Sequence, residues 1–484
     1  MNSLRRSYLL AALLALQTVS AVGAQGTPQQ QVVPQLKGVI QEPPSGSVLT
    51  LAQLEQMAIK NNPTLMQASS ATRSARGLAK QAGLLPNPVV GYQSEEFAFR
   101  SLHAKPEYFG FFEQTIPLGG KLAKSRNIYL SQANQADIES TAQRQRVINT
   151  VRTLFYQTLG AQQQVSLRTE LLKIAHDATK TTSDLFNVGQ ADKPDYLESE
   201  IEEEQVTHEL QTAKNNLKQA WKVLAAVVGV PEFASVRLEG KLEDRLPKIN
   251  EDELLAALIR ESPQIRSAEA QLSRSRAVII RAKAEPIPDM YLRGGIGYSS
   301  EFLENSSGNV IGKTGVEANM QVGVSLPVWN RNQGGIAAAQ ADLAFAESEL
   351  ARLRLALRVQ FAQAMKSYDN ASDAVRRYHD VILPRADEAY QLYLAKYKQM
   401  AASYPQMLIA QRTMFQVRQQ YINALVELQQ SSTSLEGYLL SGGLDAPSLS
   451  PGSNVQHVEM TGVRSGSQGS ADQNALDTAG LVEY

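Results

Sequence analysis

The stretch that decides the fold runs Val316-Glu317-Ala318-Asn319-Met320-Gln321-Val322-Gly323-Val324-Ser325-Leu326. Val316, Ala318, Met320, Val322, Val324 and Leu326 alternate with Glu317, Asn319, Gln321, Gly323 and Ser325. Successive side chains of a strand point to opposite faces, so this segment reads as a strand with one apolar and one polar side. Its length matches the ~9–11 residues that a tilted transmembrane β-strand needs. Segments 88–97, 107–116 and 290–299 also read as extended. In 290–299, Met290, Leu292, Ile296 and Tyr298 share one face, while Arg293 and Ser299 lie on the other. The pair 88–97 and 107–116 alternates less cleanly and carries Tyr92, Tyr108, Phe109, Phe111 and Phe112. Four strands cannot close a barrel that excludes lipid, and an open sheet edge in hydrocarbon is prohibitive. A membrane reading therefore demands several copies of the chain, and three copies supply twelve strands.

Working outward, the chain repeats itself. Leu54, Pro63, Ala68, Arg76, Ala82, Pro86 and Pro88 recur 200 residues later as Leu254, Pro263, Ala268, Arg276, Ala282, Pro286 and Pro288. Pro117 matches Pro327 at an offset of 210, and Pro194 and Leu197 match Pro405 and Leu408 at 211. Each copy orders its parts alike. A helical segment (49–85, 250–285) precedes two strands, a very long helical stretch (120–186, 335–397) and a shorter returning helix (194–228, 405–440). Thr50 is the expected N-cap of the first. Pro86 and Pro88 are expected to end that helix, and Pro117 and Pro327 to end the second strand of each pair. Gly119-Gly120 and Gly334-Gly335 are then expected to start the long helices. Pro86, Pro117, Pro286 and Pro327 thus mark a repeated strand-to-helix swivel.

The returning helices carry a coiled-coil seam. Val206, Leu210, Ala213, Leu217, Ala220, Leu224 and Val227 alternate spacings of four and three, as do Met407, Ala410, Met414, Val417, Tyr421, Ala424 and Leu428. A mean period near 3.5 defines a left-handed supercoil. Gly229 and Pro231 close the first of them. The long stretches would each reach roughly 100 Å as unbroken helix, a length suited to a spacer or tunnel wall.

The outer parts of the chain are of another kind. Arg5 and Arg6 precede an apolar run, 8–16, and small residues ending Val22-Gly23-Ala24, the order of a secretory signal with cleavage after Ala24. Residues 25–47 read as a linker, 48–229 as the first repeat, 230–249 as a connector in the equatorial region, 250–442 as the second repeat and 443–484 as a flexible tail. The chain has 484 residues, no cysteine and a net charge of −1, which leaves neither a basic footprint for nucleic acid nor a thiolate metal site. Aromatics are 6%, low for a barrel built by one chain but not for one shared among several. His103, His176, His208, His379 and His457 are scattered, and neither a metal site, a cofactor motif nor a catalytic constellation is expected. Glu198, Glu200, Glu202, Glu203 and Glu204 read either as charge near a helix N-terminus or as an acidic tunnel lining. Glu202, Glu203 and Glu204 point in different directions on a helix and cannot all share one surface. Trp329 reads either as a residue of a membrane-interface belt or as a buried corner tryptophan.

Taken together, the chain resembles the TolC family of outer-membrane efflux proteins over about 48–442. The resemblance rests on the duplicated order, Asn62-Pro63, Ile116-Pro117-Leu118-Gly119, Leu326-Pro327-Val328-Trp329-Asn330 and Leu408-Ile409-Ala410-Gln411-Arg412-Thr413. Within that family it looks most similar to the components of heavy-metal, cobalt-zinc-cadmium type, efflux systems. The resemblance implies a mainly α fold with a small β part: a coiled-coil α-helical barrel with a long periplasmic extension, and four transmembrane strands per chain. A homotrimer would close these strands as a 12-stranded outer-membrane barrel. It implies a passive duct, not an enzyme, which meets a periplasmic adaptor (membrane fusion protein) and an inner-membrane transporter of the resistance-nodulation-division class. Val188, Gly189 and Gln190 match the family's adaptor-docking tip, whereas the second copy has Gln399 and Met400 and lacks the glycine. Asp192, Asp195, Lys396 and Lys398 are the corresponding periplasmic gate candidates. The competing reading is a secreted or periplasmic coiled-coil adaptor or scaffold without a membrane barrel, which would leave the alternation in 316–326 unexplained.

Overall fold

The computed structural model describes residues 48–95, 107–233, 235–244, 248–304, 310–399 and 401–447. The signal and linker, 1–47, and most of the tail, 448–484, lie outside them. The first copy consists of α1 (Leu51–Asn61), α2 (Pro63–Gln81), β1 (Val89–Glu95), β2 (Glu107–Ile116), α3 (Lys121–Asn187) and α4 (Lys193–Val228). The second consists of α5 (Glu251–Glu261), α6 (Pro263–Ala284), β3 (Met290–Glu304), β4 (Val310–Val324), α7 (Gln333–Arg377), a π-helical turn (Tyr378–Ile382), α8 (Leu383–Lys398) and α9 (Tyr404–Glu436).

Each segment read as one opening helix is two. Asn62 and Ser262, each followed by proline, take extended backbone between them. Proline disfavours helix in the residue before it but suits the first helical position, where no N–H is needed. Asn62 and Ser262 cap the second helix: Asn62 Oδ1 accepts from the Thr64 N–H at 2.9 Å, and Ser262 Oγ from that of Ile265 at 3.4 Å. Thr50 caps α1 as expected, in a reciprocal pair with Gln53. The first helix also stops earlier than expected, at Gln81, through a turn at 82–84 and not through Pro86. In the second copy the left-handed N-cap of the long helix is Asn332, and Gly334 and Gly335 lie within its first turn. In the first copy Gly120 is that cap.

The 67-residue α3 is unbroken and spans roughly 100 Å at 1.5 Å per residue. Its counterpart is interrupted by the π-helical turn, contrary to the single helix read over 335–397. The cause is Pro384, which has no N–H for the Asp380 carbonyl and whose ring would strike it. A widened turn relieves that clash and lets the helix continue.

The helices lie four abreast. Near the sheet, α3 packs between α2 and α6, and α6 packs on α7. Farther away, α3 packs between α4 and α9, and α9 packs on α8. The strips join end to end: Asn62 Nδ2 donates to the Val227 carbonyl at 2.8 Å, tying α2 to α4. Gln264 Nε2 donates to the Tyr438 carbonyl at 3.2 Å, tying α6 to the end of α9. The seams read from the sequence are the packed ones, with Val206, Leu210, Leu224 and Val227 of α4 and Met407, Met414, Ala424 and Leu428 of α9 buried.

The main core sits where these joints meet. Phe155, Leu159, Trp221, Leu224, Phe361 and Leu425 pack there with Phe233, Leu238 and Leu242 of the connector. Leu238 also pairs with Leu49. Asn149 Nδ2 donates to the Gly437 and Leu440 carbonyls, both at 2.9 Å. The Gly443 N–H donates to Thr150 at 3.0 Å, and Gln143 Nε2 to the Asp445 carbonyl at 3.2 Å. Residues 443–447, read as the start of a loose tail, are therefore strapped to α3 by side chains that the strap's carbonyls and N–H satisfy.

Candidate functional site

The four strands form one antiparallel sheet in the order β1-β2-β3-β4. Register sorts the mixed sequence of the first pair. Phe112 lies opposite Val90 and Gly294, Ile296 opposite Gly110 and Ala318, and Tyr298 opposite Tyr108 and Val316. One face thus carries Val90, Tyr92, Tyr108, Phe112, Ile296 and the alternating apolar residues of β4. It is open: Met320 is 76% and Val316 75% exposed. The opposite face carries Gln93, Glu113, Arg293, Glu317, Asn319 and Gln321, and also Phe109 and Phe111. Arg293 lies 4.1 Å over the Phe111 ring and donates to Gln93. Phe109 is buried because its ring lies across Gly297, where a Cβ would come within 2.3 Å of it. A sheet greasy on one broad face and polar on the other fits a wall between lipid and water.

Between sheet and helices, one joint is internal to the chain. Asp289 Oδ1, just before β3, accepts from the Leu118 N–H at 3.2 Å and from Lys121 Nζ at 2.8 Å. The Lys121 side chain is buried there. Pro117 follows β2 directly, and Pro286 follows the end of α6. Pro86 and Pro327 lie beside β1 and β4, the two outer strands of the sheet, and Gln114 Nε2 donates to the Pro86 carbonyl at 2.9 Å. Trp329 is 89% exposed, so the buried-corner reading does not describe it within one chain. Its loop is nonetheless built: Gln333 Nε2 donates to its carbonyl, and Asn330 Oδ1 accepts from the Asn332 N–H at 3.0 Å.

At the far end, α3 turns into α4 through Val188, Gly189 and Gln190. Gly189 is left-handed at φ +74°, the Gln190 N–H donates to the Leu185 carbonyl at 2.8 Å, and Val188 is exposed. The described residues on either side of the second tip match those of the first. Gln399 has φ −89° and ψ 7° against −96° and 5° for Val188, and the Ala401 N–H donates to the Lys396 carbonyl at 2.8 Å. Met400 lies outside the described residues.

Asp192 and Asp195 begin α4, and Lys396 and Lys398 end α8, but no ion pair among the described residues joins these four within one chain. Other charges cross between the copies. Arg412 of α9 donates from Nε at 2.9 Å and Nη2 at 2.5 Å to Glu202 of α4, which is 4% exposed. Arg418 bridges Glu170 of α3, at 3.4 Å, and Asp387 of α8, at 3.2 Å. Burial, with the Glu202 carboxylate next in weight, pushes the nearby Tyr404 phenol up. The hydrogen bond to Glu202 raises Arg412 further still, so it stays charged. The acidic run accordingly splits, with Glu202 turned into the packing and Glu204 exposed. Sequence reasoning named Glu202 only as part of a run and Arg412 only within the stretch Leu408–Thr413, and missed Arg418. Among the described residues no cluster of His, Asp and Glu could hold a metal ion.

A groove of about 890 Å³ runs over α3 between α4 and α9, lined by amides including Gln157, Gln164, Asn216, Gln419, Asn423 and Gln430. Gln157 and Gln164 lie on the face of α3 opposite Gln162, which bonds the connector at Leu238.

Residues 54–230 and 254–439 each match the description of an outer membrane efflux protein, one match per copy. The chain belongs to the outer membrane efflux protein family. That membership removes the reading as a soluble scaffold. The chain is 28% identical over 402 residues to the cobalt-zinc-cadmium resistance protein CzcC of Cupriavidus metallidurans, covering 81% of this chain and 90% of that protein. The fold is similar to that of a membrane protein from Pseudomonas aeruginosa, with a TM-score of 0.68 and 21% identity over 82% of this chain and 92% of that one. It is also similar to the open state of the Neisseria gonorrhoeae MtrE outer membrane channel, with a TM-score of 0.66 and 19% identity over 82% and 90%. These likenesses support the mainly helical fold with a small antiparallel sheet.

Proposed function

We propose that three copies of this chain form a passive exit duct, with a twelve-stranded barrel in the outer membrane above a helical tube in the periplasm. The observation that carries the reading is the sheet: one face apolar and exposed, the other polar, and both outer strands unpaired. No helix among the described residues is long and apolar enough to cross a membrane, so this sheet is the surface offered to lipid. Unpaired strand edges are untenable in hydrocarbon, and closure with further copies removes them. The helical layer has matching open edges, with Phe345, Leu355 and Val359 exposed on α7 and Met66 and Leu78 on α2. The groove, lined by amides together with Arg168, Glu209 and Glu427, then faces the lumen, away from the connector, as a polar track.

In this reading Val188, Gly189 and Gln190 dock a periplasmic adaptor, which receives cargo from an inner-membrane transporter of the resistance-nodulation-division class. The likeness to CzcC supports divalent metal ions as cargo. Asp192 and Asp195 meet Lys396 and Lys398 between neighbouring subunits and hold the periplasmic end shut. The test is single-channel recording in planar bilayers. Wild type is expected to conduct weakly, and Asp192→Ala with Asp195→Ala to conduct several-fold better. A protein that never conducts refutes the duct, and a duct whose conductance ignores both substitutions removes them from the gate.

A further inference from the structure

We infer that the seam between subunits is a copy of the seam inside one subunit, with its strand register fixed and its salt bridge replaced by Trp329. This rests on the trimer reading above. It adds which residues meet and what chemistry holds them.

The internal seam is where the first copy meets the second: β2 against β3, and the end of β2 against the start of β3. Gln114 pairs with Leu292, and Phe112 with Gly294. In a closed ring, β4 of one chain takes the place of β2, and β1 of the next takes the place of β3. The repeat supplies the translation. Pro117 and Pro327 set β2 against β4 at an offset of 210, and Pro88 and Pro288 set β1 against β3 at 200. Carrying the internal pairs across gives Val324 opposite Tyr92 and Val322 opposite Ser94 of the neighbour.

Face alternation agrees with this register and excludes odd slips, and strand direction permits the pairing. Side chains alternate along a strand, so a slip of one residue would put apolar positions of one strand beside polar-face positions of the next. The transferred register does the opposite: Val322 and Val324 meet Tyr92 and Ser94 on the face that already carries Phe112 and Ile296. Direction also agrees, because an antiparallel sheet with an even number of strands presents antiparallel edges.

Below the strands the two seams must differ. Internally, Gly119 lies so close to Ile287 that a Cβ would come within 2.5 Å, and Lys121 pairs with Asp289. At the same offsets, Gly119 becomes Trp329 and Lys121 becomes Arg331, while Ile287 becomes Asn87 and Asp289 becomes Val89. The acidic partner is gone, so no equivalent ion pair can form. Beside the exposed Asn330, Arg331 and Asn87, both edges present apolar surface: Trp329 and Val328 on one, Leu84, Leu85 and Val89 on the other. An indole spreads over such a surface and fills the wider gap left by the missing clasp. Trp329 therefore packs on the neighbour's Leu84–Leu85 corner, where a tryptophan serving only the lipid interface would touch no protein.

The chain has no native cysteine, so pairs can be placed without background. Tyr92→Cys with Val324→Cys should link subunits under mild oxidation or with a short bifunctional thiol reagent. Directly opposed β-carbons stand ~4.5–5.5 Å apart, and two-residue diagonals ~7–8 Å. Linking of Val324→Cys to Val90→Cys or Ser94→Cys should therefore be at least tenfold slower. Trp329→Cys with Leu85→Cys tests the lower joint and should also link. Native mass spectrometry of each variant gives the oligomer directly. A trimer that links faster at position 90 or 94 overturns the register. A trimer that links at 92 but never between 85 and 329 overturns the tryptophan joint. A monomer overturns the trimer reading and the seam with it.

Discussion

Replacing Arg412 by alanine removes the only cation that reaches Glu202 among the described ion pairs. The Glu202 side chain is 5% exposed and that of Arg412 is 48% exposed, so the two losses are unequal. Stranding one partner of a fully buried pair costs about 3–5 kcal/mol. Water reaches half of the arginine and can reach the vacated space, which brings the figure to about 2 kcal/mol. Glu202→Gln leaves no buried charge, and Arg412 turns to solvent, so that change costs about 1 kcal/mol. The double variant must lose less than the sum, because the glutamine removes the charge that the alanine strands. Amide hydrogen exchange on the detergent-solubilised protein reads this locally, in peptides covering 196–210 and 404–418. A loss of about 2 kcal/mol raises exchange through local opening roughly 30-fold, and 1 kcal/mol about fivefold. Sheet peptides should not change and serve as the reference. Equal effects of the two single variants, or strict additivity in the double, would refute the buried-carboxylate argument.

Two further outcomes are expected. Tyr404, Tyr390 and Tyr421 are all pushed up, chiefly by burial, so the folded protein holds protons that the unfolded chain has lost. Stability is fully present below the ordinary tyrosine value near 10 and falls as pH rises beyond it, and Tyr404→Phe should make that fall shallower in alkaline unfolding curves. Asn62→Ala removes the α2 cap and strands the Val227 carbonyl, while Thr64 Oγ1 still donates to that of Gly443. The expected loss is about 3 kcal/mol in urea unfolding, and a loss under 1 kcal/mol would show that the helix joint is held by packing alone.

The duplication, the four strands, the seams and the tip glycine are legible in residue types, because each depends on a local period or on proline and glycine. The alternation of 316–326 is plain since every second residue is apolar. In 107–116 it is hidden, because Phe109 and Phe111 occupy the polar face and only pairing with Gly91 and Gly297 shows why. The π-helical turn had a signal, Pro384, four residues after Asp380, that a count of helical periods passes over. The Arg412–Glu202 pair could not be read at all. Its members are 210 positions apart and meet only because α9 lies against α3 beside α4.

The two tips share the backbone of their described flanks but not the side chains. Val188-Gly189-Gln190 stands at one, and Gln399 and Ala401 flank the other. In a ring of three subunits the far rim then presents six corners of one shape and two alternating surfaces. A partner gripping by shape alone would find six equal footholds. One that reads side chains would find two kinds of foothold, three of each.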